Sequence, residues 1–377
     1  MSRPLSALVL AAGEGTRMRS TLAKPLHRLC GRPMILHVVD ALAELTVAEV
    51  VVVVGRGADD LVRAVLDGAP AGLKVRFVEQ DRARGTGDAV AVGLTALDDD
   101  FDEGEVVVLP GDTPLLRPPT LAALVRRHRG DDSAATLLVA EVADPTGYGR
   151  VVRGKDGGVA AVVEEADAEP EQLLLREVNT SIYCFRRGVL APSLRRLEPQ
   201  NAQREYYLTD TVAVLAEAGY RVDAMVVADP VEAAGVNDRA QLAAAEAELR
   251  SRINERWMRR GVTMVDPDST YLDASVELEA ESILLPGVML AGSTTVGRGA
   301  RIGPGCQLVD TTVGEDAEVR LTDARSARIG PGAQVGPYAA LGPGATVARD
   351  TRTGPFFVGG VGAPESGERS EGPGLEP

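Results

Sequence analysis

Aliphatic residues at every sixth position govern the second half of this chain. Leu278, Leu284, Leu290, Val296, Ile302 and Leu308 follow that step, and Ile329, Val335, Leu341 and Val347 resume it after a slip near Val313. A six-residue step with glycines in between marks a repeated unit, and each unit can cover only its neighbours. Residues 263–350 are therefore expected to form a stack with open ends and faces. Upstream, residues 241–260 are dense in Ala, Leu, Glu and Arg and predict one long helix, a linker spanning about 240–262. Trp257, the only tryptophan, is expected to pack at that junction.

Residues 1–239 read differently. Ala7 to Leu10, Val50 to Val54, Val75 to Val78 and Glu105 to Leu109 are short apolar runs, separated by helix-like segments that open at Pro33-Met34, Asp59 and Asp88. Continuous β-branched runs suit parallel strands covered on both faces. Strands alternating with helices predict an α/β fold, a Rossmann-like doubly wound domain whose ligands sit beyond the carboxyl ends of the strands. From Ala135 the pattern loosens into further strands and turns, with segments at 136–142, 149–152, 159–163 and 181–185.

That rule brings three loops to one rim: Gly13-Glu14-Gly15 after the first strand, Gln80 with Gly85-Thr86-Gly87 after the third, and Pro110-Gly111-Asp112 after the fourth. Gly13 and Gly15 allow positive φ and close approach of backbone N–H groups to phosphate oxygens. Arg17 and Lys24 add fixed positive charge, as a triphosphate requires. The chain has only three lysines, so one beside this loop is less readily incidental. No Gly-Lys-Ser/Thr follows, which disfavours a P-loop, and the Gly-x-Gly-x-x-Gly spacing of dinucleotide folds is absent. Asp112 reads either as a Mg²⁺ ligand beside phosphates or as a cap of its own turn. Gly149 can let a backbone N–H approach a sugar and Glu164 and Asn179 can hydrogen-bond it, although local sequence alone favours Glu164 as a solvated strand-end charge and Asn179 as a turn former.

A net charge of −15 and a pI near 4.8 argue against nucleic acid as a partner, so an anionic substrate needs a local cationic cluster. Cys30, Cys184 and Cys306 are odd in number and widely spaced, fitting neither a disulfide framework nor a zinc site. No signal-peptide pattern and no apolar run of membrane length occur, and a reducing cytoplasm is the expected setting.

The run from Leu10 to Met18, with Lys24-Pro25, resembles the signature of sugar-1-phosphate nucleotidyltransferases. Gly147-Tyr148-Gly149-Arg150, Val162-Val163-Glu164, Glu177-Val178-Asn179, Asn201 to Asp210 and Gly235 to Leu242 are similar, in order, to motifs of the bacterial N-acetylglucosamine-1-phosphate uridyltransferase family. The resemblance covers about residues 5 to 350. It implies that Leu10, Ala11, Ala12 and Gly13, with Gln80, Gly85 and Thr86, hold uracil and ribose of UTP. The same resemblance implies that Arg17 and Lys24 would hold the triphosphate and departing pyrophosphate, that Asp112 and Asn237 would ligate Mg²⁺, and that Gly149, Glu164 and Asn179 would bind the N-acetylglucosamine of the sugar phosphate. Ala83, Arg84, Asp88 and Ser181 depart from the family pattern, which has Gln, an apolar residue, His and Gly there.

The six-residue step resembles that of hexapeptide-repeat proteins, which implies a left-handed parallel β-helix and assembly as a homotrimer. In this family the β-helix also transfers acetyl groups from acetyl-CoA. Here no histidine follows His128, no lysine follows Lys155, Gly342 replaces an arginine, and Phe356 to Gly360 replace a lysine-bearing segment. Acetyl transfer is therefore expected to be absent, and residues 351–377, rich in Pro, Gly, Ser and Glu, are expected to be disordered. Two other readings stand beside this one: a nucleotidyltransferase for another sugar 1-phosphate, and a non-catalytic regulator that binds a nucleotide sugar.

Overall fold

The computed structural model describes residues 3–98, 103–155 and 157–360. The chain divides into two compact units between Ala245 and Glu246, with Leu29–Arg32 counted in the second. That division falls inside the long helix Arg239–Arg259.

The first unit is built on a nine-stranded sheet. Its strands are β1 (Leu5–Ala11), β2 (Glu49–Gly55), β3 (Val75–Gln80), β4 (Glu105–Pro110), β5 (Ala135–Glu141), β6 (Arg150–Arg153), β7 (Val159–Val163), β8 (Glu177–Arg186) and β9 (Val222–Val226). The order is β9-β5-β8-β4-β1-β2-β3, with β6 beside β8 and β7 beside β6. Strands β4, β1, β2 and β3 run parallel, whereas β8 runs antiparallel to both β4 and β5. The doubly wound half thus ends at β4, and the loosened pattern after Ala135 is a mixed sheet around β8.

Helices α1 (Met34–Ala43), α2 (Asp59–Gly68), α3 (Thr86–Leu94) and α4 (Pro118–Gly130) cross between the parallel strands and on to β5. Because side chains alternate along a strand, β2 sends Val50, Val52 and Val54 into one core and Val51 into the other. Both layers are closed to solvent: Val50 to Val53 and Val106 to Leu109 are fully buried. Burying one such side chain stabilises the fold by about 1.5–3 kcal/mol. Helix α3 begins at Thr86, two residues earlier than the apolar pattern predicts, so the Gly85-Thr86-Gly87 turn is itself the helix start.

The second unit from Thr263 onward is a parallel β-helix of three sheets holding five, six and five short strands, the architecture expected of left-handed hexapeptide repeats. Its interior is the six-step series, with Leu284, Leu290, Ile302 and Leu308 fully buried. The slip resolves into three shortened steps: Leu308 to Val313, Val319 to Ala324 and Ala324 to Ile329 are each one residue short of six. The β-helix also runs past the expected limit at 350. Val358–Gly359 pairs in parallel with Ala340–Leu341. Thr353 and Gly359 occupy the six-step positions after Val347, so stacking continues where aliphatic character does not. The remainder of the expected tail, residues 361–377, lies outside the described residues. Trp257 is buried in this unit's core with Ile253, flanked by the guanidinium groups of Arg256 and Arg260. Among the described residues no helix is long and apolar enough to cross a membrane.

Candidate active site

The carboxyl ends of β1 and β4 are tied together where Gly111 N–H donates to the Leu10 carbonyl at 2.8 Å. Past β1, Gly15 adopts φ +61, and a Cβ there would lie 2.6 Å from the Cβ of Lys24. Only glycine permits this turn, and the close approach delivers Lys24 to the rim. Gly13 differs from the sequence expectation: it does not take positive φ, and no atom outside its own neighbourhood lies within 4 Å of a built Cβ. Its lack of a side chain keeps the rim open.

Lys24 Nζ donates to Asp112 Oδ2 and, at 3.0 Å, to Asn237 Oδ1. Arg17 Nη2 donates to the same Asn237 oxygen at 2.9 Å. The Asp112 carboxylate and the Asn237 carboxamide therefore share one ammonium, in a corner where the Lys24 and Asp112 side chains are largely buried. Val236 N–H donates to the Asp112 carbonyl at 2.9 Å, and Gln241 Oε1 accepts from Asn237 N–H at 2.7 Å. Arg239 Nε donates to the Met18 carbonyl, which fastens the Arg17 turn. Gln241 and Arg239 belong to the Gly235–Leu242 motif, but nothing in the sequence assigned them a task. Among the described residues no three His, Cys, Asp or Glu side chains gather as a metal site.

A cavity of about 720 Å³ extends from this corner. Leu10, Ala12, Gly13, Arg17, Gln80, Gly85, Thr86, Asp112, Glu164, Asn179 and Asn237 line it. Three expected residues, Lys24, Ala11 and Gly149, adjoin its lining without forming part of it. Lys24 is hydrogen-bonded to Asp112 and Asn237, and Ala11 sits half-buried in β1 paired with Val54. The Gly149 carbonyl accepts from Asn179 N–H at 2.8 Å.

At one end, Gly85 has φ +108, and a Cβ would collide with the Tyr206 carbonyl at 2.5 Å. Tyr206 N–H donates to the Arg84 carbonyl, Gly87 N–H to the Tyr206 carbonyl, and Leu208 N–H to Thr86 Oγ1. The Asn201–Asp210 motif is thus a clamp on the Gly85 turn, and the Thr86 hydroxyl is partly spent on it. Gln80 Nε2 donates to Asp88 at 2.8 Å and to the Gly85 carbonyl at 3.3 Å, while Arg84 pairs with the same Asp88 carboxylate at 2.8 Å. Two of the family departures therefore answer each other in one ion pair.

At the other end, Thr209 Oγ1 donates to Glu164 Oε1 at 3.2 Å. Burial, with help from the Asp210 and Asp167 charges, lifts the Glu164 carboxyl above its usual range despite that hydrogen bond. Asn179 Nδ2 donates to the hydroxyl of Tyr183, which is fully buried and stacked on Phe185 with ring centroids 5.3 Å apart. Burial pushes the Tyr183 phenol far up, so it stays neutral and keeps its proton.

A strand-end rim that brings two cations, a carboxylate and a glycine loop to one cleft is built for moving a phosphorylated nucleoside, and the family model described as Nucleotidyl transferase matches residues 6–231. The Bifunctional protein GlmU of Clavibacter sepedonicus is 46% identical over 94% of this chain and 71% of its own length. Those of Mycolicibacterium vanbaalenii (46%, over 94% and 72%) and Streptomyces coelicolor (44%, over 94% and 73%) are similar to the same extent. The chain belongs to the GlmU family and is a sugar-1-phosphate nucleotidyltransferase.

Proposed function

We propose that this enzyme makes UDP-N-acetylglucosamine and pyrophosphate from UTP and N-acetylglucosamine-1-phosphate, a cytoplasmic step toward peptidoglycan precursors. The observation that carries the reading is the corner in which Arg17 and Lys24 meet Asn237 and Asp112. An anionic phosphate oxygen must reach an anionic α-phosphorus, so positioning and neutralisation outweigh proton transfer. Arg17 and Lys24 stabilise charge building on the departing pyrophosphate. Leu10 to Gly13, Gln80, Gly85 and Thr86 receive the uridine, and Glu164 and Asn179, with Gly149 behind them, receive the sugar.

Asp112 and Asn237 suit Mg²⁺, because one carboxylate and one carboxamide oxygen already converge on a single cation, Lys24 Nζ, and magnesium takes one or two carboxylates alongside phosphate oxygens. An Mg²⁺ ion held by these two side chains would neutralise phosphate charge. Cys30, Cys184 and Cys306 are free thiols, as suits a reducing compartment. The proposed assembly is a homotrimer, tested by light scattering against the 39.5 kDa chain mass.

Residues 263–360 hold neither histidine nor lysine, and Gly342 stands in the segment where the family carries arginine. We read this β-helix as lacking acetyl transfer; CoA release from acetyl-CoA and glucosamine-1-phosphate would overturn that. The main reading is tested by pyrophosphate release across a panel of nucleoside triphosphates and sugar 1-phosphates. UTP with N-acetylglucosamine-1-phosphate should give the highest kcat/KM, and a better pair would replace it.

A further inference from the structure

Strand β8 departs from regular pairing at the sugar end of the cavity. Its register against β5 shifts between Asn179 and Ile182. Ser181 stands in that irregularity with φ +60, in the left-handed region. A residue with a Cβ gives up about 1–2 kcal/mol in that conformation, which glycine avoids. The local packing does not call for serine. Ser181 N–H donates to Asn179 Oδ1 at 3.2 Å, a bond any residue other than proline could make. The Ser181 hydroxyl has no partner among the described residues, and the residue is exposed on the cavity wall with Tyr148, Glu164 and Asn179.

The neighbouring polar groups are mostly engaged already. Asn179 uses Nδ2 on Tyr183 and Oδ1 on Ser181, and Glu164 uses Oε1 on Thr209. A strained residue whose hydroxyl is unused within the protein and faces a binding cavity has a use for that hydroxyl in the ligand. Building on the function proposed above, we infer that Ser181 is a specificity-determining residue that contacts the sugar ring. Its hydroxyl hydrogen-bonds a polar ring substituent. Its Cβ fills volume that glycine would leave to a bulkier group.

The test compares Ser181→Gly and Ser181→Ala with the unaltered enzyme, reading KM for UTP and for a series of sugar 1-phosphates that differ in ring substituents. Ser181→Gly should raise KM for the preferred sugar 1-phosphate about 3- to 10-fold, as loss of one hydrogen bond implies. It should leave KM for UTP unchanged, flatten the preference among sugars, and raise Tm by relieving strain. Ser181→Ala should show the same KM loss without the gain in Tm. An unchanged or lower sugar KM in either variant overturns the inference while leaving the proposed function intact. Absence of pyrophosphate release by the unaltered enzyme with every sugar 1-phosphate overturns the proposed function and this inference with it.

Discussion

The rim of the first unit and the coils of the second use the same short parallel strands for opposite ends. At the rim, the decisive contacts join residues far apart in sequence: Lys24 to Asp112 across 88 residues, Lys24 to Asn237 across 213, and Arg17 to Asn237 across 220. In the β-helix each strand pairs with the equivalent strand of the next coil, as Ile283 does with Arg301 and Arg301 with Glu318. Stacking by nearest neighbours fills a core without gathering unlike polar groups. A sheet with crossover helices opens its loops at one edge, so cations, a carboxylate and amides from distant segments can meet there. The proposed phosphate chemistry sits at such an edge.

Breaking the rim should have the largest effect. Asp112→Ala removes the carboxylate that Lys24 holds, and turnover should fall about 1000-fold, the upper end for loss of one preorganised electrostatic group. The measurement is pyrophosphate release at saturating Mg²⁺, and near-normal activity would refute the role. Gly15→Ala attacks the same corner through the backbone, since its Cβ would meet Lys24 at 2.6 Å in a left-handed turn. Displacing Lys24 by about 1 Å should lower kcat/KM about 100-fold.

The β-helix core should respond in stability and not in turnover. Ile302→Ala empties a fully buried site in the β-helix and should cost about 2–5 kcal/mol of that unit's stability, read as a lower denaturant midpoint. Turnover at 25 °C should not change, and a parallel loss of kcat would show that the two regions are not separable.

The smallest effect lies at Glu164. Its carboxyl is raised mainly by burial, so the folded state favours the neutral acid, and stability declines as pH rises from the ordinary carboxylate range through the raised value. Glu164→Gln should raise Tm by a few degrees at neutral pH, with the gain vanishing in acid, while KM for the sugar 1-phosphate rises about 10-fold. A gain in Tm independent of pH would contradict burial as the cause.

What the sequence disclosed follows from range. The six-residue step, the aliphatic strands and the glycine turns are local patterns, so the β-helix, the parallel half-sheet and the three converging loops were legible. The three short steps between Leu308 and Ile329 read only as a slip, because shortening at separate coils leaves a single phase change in the pattern. Residues 353 and 359 were lost to the expected tail, since threonine and glycine carry the step without hydrophobicity.

Near the site, illegibility has a tertiary cause. The Asn201–Asp210 motif could be seen as a motif, but its task of holding the Gly85 turn depends on Tyr206 approaching from 121 positions away in the chain. Arg84 and Asp88 looked like two independent departures. They are four apart at the start of α3, where helical spacing lets them pair. The left-handed backbone of Ser181 belongs to a shift in strand register, which no single-residue preference encodes.

In the proposed reaction one corner, at the ends of β1 and β4, handles the phosphates, and a crystal structure with UTP and Mg²⁺ would show whether it does. The triphosphate should lie between Arg17 and Lys24, with the metal on Asp112 and Asn237 and the uracil beside Gln80 and Gly85. Phosphates bound away from Arg17, Lys24 and Asp112 would contradict it.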